Sequence, residues 1–148
     1  AVSCALATCL WGRETADCSD RERPMLLGIA RLLYPHDALS DDVYEACIEP
    51  VLAGSGSAPL RRDALCAGFD MLDGVHGGTW LDADRDAQVT ALAVIQRSAF
   101  FDAVRDSVRL ALYTHPAVWR LIGFEGSSVE HGGYLERGFD DIDWLPEA

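Results

Sequence analysis

The chain has 148 residues, 49% of them hydrophobic, and a formal net charge of -12. It is long enough to bury a core, too apolar to be disordered throughout, and too acidic to favour nucleic acid or anionic membrane as a partner. All 12 basic residues are arginine.

The first 12 residues are apolar and small. They match either the apolar region of an export signal without its basic start or a buried N-terminal helix. The first strong helix is expected from Ser19: Ser19 and Glu22 have capping-box spacing, and Pro24 is tolerable in a first turn. Leu26, Ile29, Ala30 and Leu33 then form one apolar stripe, and Tyr34-Pro35 ends it.

Ser40 opens a second helix, with Asp41 and Asp42 at the positive end of its dipole and Tyr44, Ile48, Val51 and Leu52 on one face. Pro50 is expected to distort or end it, and Gly54-Ser55-Gly56-Ser57 reads as a flexible break. A third helix is expected from about Pro59 to Leu72, with Leu65, Phe69 and Leu72 inward. Gly74, Gly77 and Gly78 mark the next break.

Asp82 or Asp84 caps a fourth helix carrying Val89, Leu92, Ala93 and Ile95. A fifth follows Ser98, with Phe101, Val104, Val108, Ala111 and Leu112 at helical spacing; the fourth and fifth can also be one bent element. Pro116 stops the fifth, leaving a short helical turn from Ala117 to Ile122.

The expected fold is therefore all-α. It is a compact bundle of about five helices over residues 19–122, preceded by an apolar segment at 1–18 and followed by an extended, irregular arm at 123–148. The arm holds five glycines, two phenylalanines, a tyrosine and a tryptophan, and its acids face Arg137 alone. Its rings must be buried, either against the chain's own bundle or across another subunit.

Motifs that carry chemistry are missing. His36, His76, His115 and His131 each stand at a turn, without the i, i+4 partner of a zinc-protease helix. There is no nucleophile elbow, Walker loop or dinucleotide fingerprint. Asp82, Asp84 and Asp86 lack the glycine and terminal glutamate of a calcium loop and read as helix caps. The cysteines at 4, 9, 18, 47 and 66 fit no common zinc or iron–sulfur spacing. Being odd in number, they leave two readings open: buried thiols with or without one disulfide, or one bridge with a leftover cysteine facing a partner in an oxidising compartment. No catalytic residue, metal ligand or cofactor site is assigned, and no stretch is long enough to span a bilayer.

The run from Tyr113 to Gly126 (Tyr-Thr-His-Pro-Ala-Val-Trp-Arg-Leu-Ile-Gly-Phe-Glu-Gly), together with Gly132-Gly133-Tyr134 and the run from Arg137 to Pro146, resembles the C-terminal signature of the gluconate 2-dehydrogenase subunit 3 family. Leu32 to Asp37 resembles that family's first-helix ending. The resemblance implies a helical small subunit without a cofactor. It would accompany a large FAD-dependent subunit of the glucose–methanol–choline type that oxidises sugars or glycosides. A cytochrome c often accepts the electrons. The resemblance also implies a periplasmic location and twin-arginine export assisted by the small subunit. On this reading Trp119, Phe124, Tyr134, Phe139 and Trp144 are the partner-binding rings. The alternatives are a subunit that donates His115 or His131 to a shared active site, and a free-standing helical binding protein.

Overall fold

A computed structural model describes residues 18–57, 59–129 and 132–133. Within them the chain is all-α: α1 Cys18–Leu33, α2 Asp41–Leu52, α3 Arg62–His76, α4 Arg85–Ile95, α5 Ala99–Tyr113 and α6 Pro116–Ile122, with a 3-10 turn at Trp80–Asp82. No described residue lies in a strand. The short α6 brings the expected five helices to six, and α4 and α5 are separate elements. No described helix is long and apolar enough to cross a membrane.

The stripes of α1, α2, α3 and α5 build the core. Leu26, Ile29, Ala30, Tyr44, Ile48, Leu65, Phe69, Leu72, Val104, Val108 and Leu112 are all buried, as a 3.6-residue period requires. α2 lies along α5 and α1, and α3 along α4. Phe69 and Phe100 meet edge to face with centroids 5.7 Å apart, and of the two it is the Phe100 ring that lies over Gly68. A Cβ on Gly68 would fall 2.2 Å from that ring.

Asp84 caps α4 by accepting from the Ala87 amide, and Ser98 caps α5 by accepting from that of Phe101. Ser40 stands at the N-cap of α2, without a side-chain cap bond.

Several expectations need correction. α1 already includes Cys18, so Ser19 is inside the helix and Glu22 is not the far half of a capping box. Glu22 is instead buried and accepts from Arg62. Pro24 and Pro50 both lie inside helices. Pro24 is on the exposed face of α1, where water can satisfy the carbonyl left without a donor. Pro50 lies two residues before the end of α2, and its own carbonyl accepts from Ser55 N at 2.9 Å.

The Gly54–Ser57 break is a packed turn: a Cβ at Gly56 would sit 2.4 Å from Ser107 Oγ. α3 starts later than expected and runs through Gly74, with Gly77 (φ 80°) as its left-handed cap. The inward face of α4 is Ala91, Leu92 and Ile95, leaving Val89 exposed. Fully buried Trp80 turns it: the indole N–H donates to the Gln88 carbonyl at 3.1 Å, and the Gln88 side chain returns bonds to the carbonyls of Trp80 and Leu81. Asp73 fixes the turn from α3 by accepting from the Trp80 amide at 2.9 Å and from Arg21 at 2.5 Å.

Cys18 and Cys66 form a disulfide between α1 and α3. Cys47 is a free thiol buried in the core, so it does not face a partner. Cys4 and Cys9 lie outside the described residues.

Candidate partner-docking surface

The start of the arm is organised around Trp119. α5 ends at Tyr113, and Pro116 opens α6 with the φ that a first helical turn needs. His115 caps that helix, its Nδ1 accepting from the Ala117 amide at 3.2 Å. Gly123 closes it in the left-handed conformation (φ 72°), which only glycine adopts freely. The chain then reverses. Phe124 N donates to the Trp119 carbonyl at 2.8 Å, and the two rings stack edge to face with centroids 5.4 Å apart. The Trp119 indole N–H donates to the Tyr113 carbonyl at 2.7 Å. Gly126 (φ 96°) lies close under the indole, 3.5 Å from the ring at its Cβ position. Trp119 thus ties the end of α5 to the first residues of the arm.

Two shallow hollows flank α6. One, of about 390 Å3, is lined by Trp119, Phe124, Ser127, Ser128, Val129 and Gly133. Ser128 Oγ is buried there and, among the described residues, has no hydrogen-bond partner. The other, of about 430 Å3, is bordered by Leu39, Val43, Ala117, Arg120 and Leu121.

Around them Tyr113, Leu121, Ile122, Phe124 and Val129 are exposed, Ile122 at 59% and Val129 at 84%. Six of the ten large apolar side chains exposed among the described residues fall between positions 110 and 129, so the apolar surface is concentrated at this end. Such concentration marks contact surfaces in soluble proteins.

Tyr113 also joins this end to the α1–α2 turn. Its ring meets Tyr34 and His36 edge to face at 6.0 and 5.9 Å, and its hydroxyl lies 3.2 Å from His36 Nε2. Tyr34 donates to the Arg105 carbonyl, and burial raises its pKa, keeping it a neutral donor. The Tyr44 hydroxyl accepts from the His36 amide at 3.0 Å and donates to the Tyr34 carbonyl.

Of the five rings assigned to partner binding, Trp119 and Phe124 are brought together. Tyr134, Phe139 and Trp144 lie outside the described residues, as does His131. Residue-by-residue reading missed the exposed Leu121 and Ile122. The available signal was their place beside a helix-ending glycine, on a helix of only seven residues with Val118 as its buried anchor. Comparison of the chain with protein-family models, with curated proteins and with solved structures gives no match.

Proposed function

We propose that this chain is a non-catalytic small subunit. It binds and stabilises a large FAD-dependent sugar or glycoside dehydrogenase of the glucose–methanol–choline type, and assists its folding and export to the periplasm. A cytochrome c subunit is a further expected member of the complex. The observation that supports the reading is the Trp119–Phe124 turn, with exposed Tyr113, Leu121 and Ile122 around it. It falls within the segment whose residues resemble the gluconate 2-dehydrogenase subunit 3 signature.

In the proposed complex the rings of this turn enter pockets on the flavoprotein, each anchor contributing about 2 kcal/mol or more. The acids of the arm meet partner arginines and set specificity more than affinity. The capping bond at His115 supports a structural role for that side chain, since its Nδ1 is already engaged by the α6 backbone.

Co-expression of the large subunit with this chain, with and without residues 123–148, tests the reading. Truncation is expected to reduce soluble yield, flavin content and complex formation together. Undiminished values for all three would overturn the role of the arm.

A further inference from the structure

The Cys18–Cys66 bridge has a third donor beside it. Cys18 and Glu22 are one helical turn apart on α1, and so project from the same face. Cys66 comes from the facing α3, its Cα 6.0 Å from that of Cys18. The two sulfurs and a Glu22 carboxylate oxygen all lie within 4.8 Å of one another.

Glu22 is only 5% exposed, and its carboxylate is held by Arg62: Nε donates to Oε1 at 2.7 Å and Nη2 to Oε2 at 2.9 Å. Each oxygen keeps a second lone pair, so an ion can be ligated without breaking that fork. A solvent-open hollow of about 250 Å3, bordered by Glu22, Leu52, Gly54, Leu60 and Arg62, reaches the carboxylate side of the group.

We propose that the reduced chain carries a zinc-class metal site made of Cys18, Cys66 and Glu22, with water from the hollow as fourth ligand and Arg62 orienting the carboxylate. Tetrahedral zinc holds sulfur at about 2.3 Å and carboxylate oxygen at about 2.0–2.2 Å, so its donors stand about 3.4–3.8 Å apart. The present 4.8 Å spread reaches this by side-chain rotation once the sulfurs are no longer bonded. Two thiolates favour zinc or another soft ion over calcium or magnesium.

The site is redox-gated. A dithiol reductant attacks one sulfur of the bridge, and its second thiol resolves the mixed disulfide. The reductant leaves oxidised as its own disulfide, and Cys18 and Cys66 each gain one hydrogen. Metal binding then expels the two thiol protons to solvent. Reoxidation to the bridge uses both sulfurs and excludes the ion. Sequence spacing hides such a set, because one donor comes from a different helix.

The test is titration of the full chain with Co2+, after reduction by a phosphine and in the absence of oxygen. One ion per chain is expected, with thiolate-to-cobalt charge transfer and the visible bands of a tetrahedral site, displaced by Zn2+. The oxidised chain takes up none. Cys18→Ser and Cys66→Ser abolish binding, Arg62→Gln weakens it about tenfold, and Cys4→Ser with Cys9→Ser leaves it intact.

Iodoacetamide labelling of the reduced wild-type chain, mapped by peptide mass, needs no variant: Zn2+ should slow labelling of Cys18 and Cys66 and not of Cys4 or Cys9. Equal labelling with and without Zn2+, no cobalt uptake, or uptake that survives loss of Cys18 and Cys66 would overturn the proposal.

Discussion

The indole of Trp119 donates to the backbone carbonyl of Tyr113, 2.7 Å away, across the turn that joins α5 to α6. That bond fixes a half-buried ring that packs edge to face with Phe124 and borders a shallow hollow open to solvent. The fold and the candidate contact surface therefore share one side chain, and substitutions at the two rings should separate the two proposed roles.

Trp119→Ala should cost the isolated chain about 2 kcal/mol, through lost packing and the lost bond to Tyr113. Phe124→Ala removes a ring that is 41% exposed and should cost the isolated chain only about 0.5–1 kcal/mol. Its effect on complex formation should be larger, about 2 kcal/mol or some thirtyfold in Kd. Denaturant melts of each variant, set beside binding to the large subunit, check the difference. Equal losses in both assays for Phe124→Ala would make its role structural.

The Cys18–Cys66 bridge closes a separation of 48 residues. The chain-entropy argument gives such a cross-link about 4 kcal/mol, acting through the unfolded state. Arg62–Glu22 and the α1 and α3 core residues still join the helices without it. Reduction should therefore lower unfolding stability by up to that amount while leaving a helical fold. Urea titrations with and without reductant, followed by circular dichroism, measure the difference.

Cys47 supplies a pH dependence. Burial pushes its thiol from an ordinary value of 9.0 up to about 11. Above pH 9 the unfolded chain releases this proton while the folded chain keeps it, so the unfolded state binds fewer protons and stability falls as pH rises. The contribution lost between pH 9 and pH 11 is about 2–3 kcal/mol. Burial raises the pKa of Tyr34 too, which acts in the same direction at still higher pH. Cys47→Ala should flatten the fall in stability between pH 9 and pH 11, a comparison that thermal melts at both values supply. The same burial should make the Cys47 thiol alkylate more slowly in the native chain than in the urea-unfolded chain at neutral pH.

The stripes on α1, α2 and α5 were legible because their apolar residues repeat at 3.6, and the caps at Asp84 and Ser98 because a short polar side chain precedes a periodic run. Trp80 was not. It stands just after Gly77 and Gly78, outside any period, yet it is fully buried and Gly28 of α1 lies against its ring, 3.3 Å from it at the Cβ position. With Trp80 unseen, the sequence could not say which side of α4 faces inward, since it is the Gln88–Trp80 bonds that orient the helix.

Pro24 misled for a different reason: a lost amide matters little when the orphaned carbonyl reaches water, whereas Pro50 stands two residues before α2 ends, close to where a break was expected. At the candidate surface, the aromatic content of the arm pointed to Phe124, and the resemblance of the run from Tyr113 to Gly126 pointed to Trp119. Their stacking depends on the positive φ of Gly123, a backbone feature that composition does not express. Cysteine pairing was illegible because five cysteines admit many partners. The Glu22–Arg62 fork spans 40 residues and leaves no local pattern.

The most direct test of the proposed function is to isolate the chain in its native assembly and record the flavin absorbance and the mass of the largest co-purifying chain. The account predicts a stoichiometric large subunit carrying FAD, which separates from this chain when Trp119 and Phe124 are both replaced by alanine. Elution of the chain as a 16.1 kDa monomer, or with a partner that holds no flavin, would contradict it.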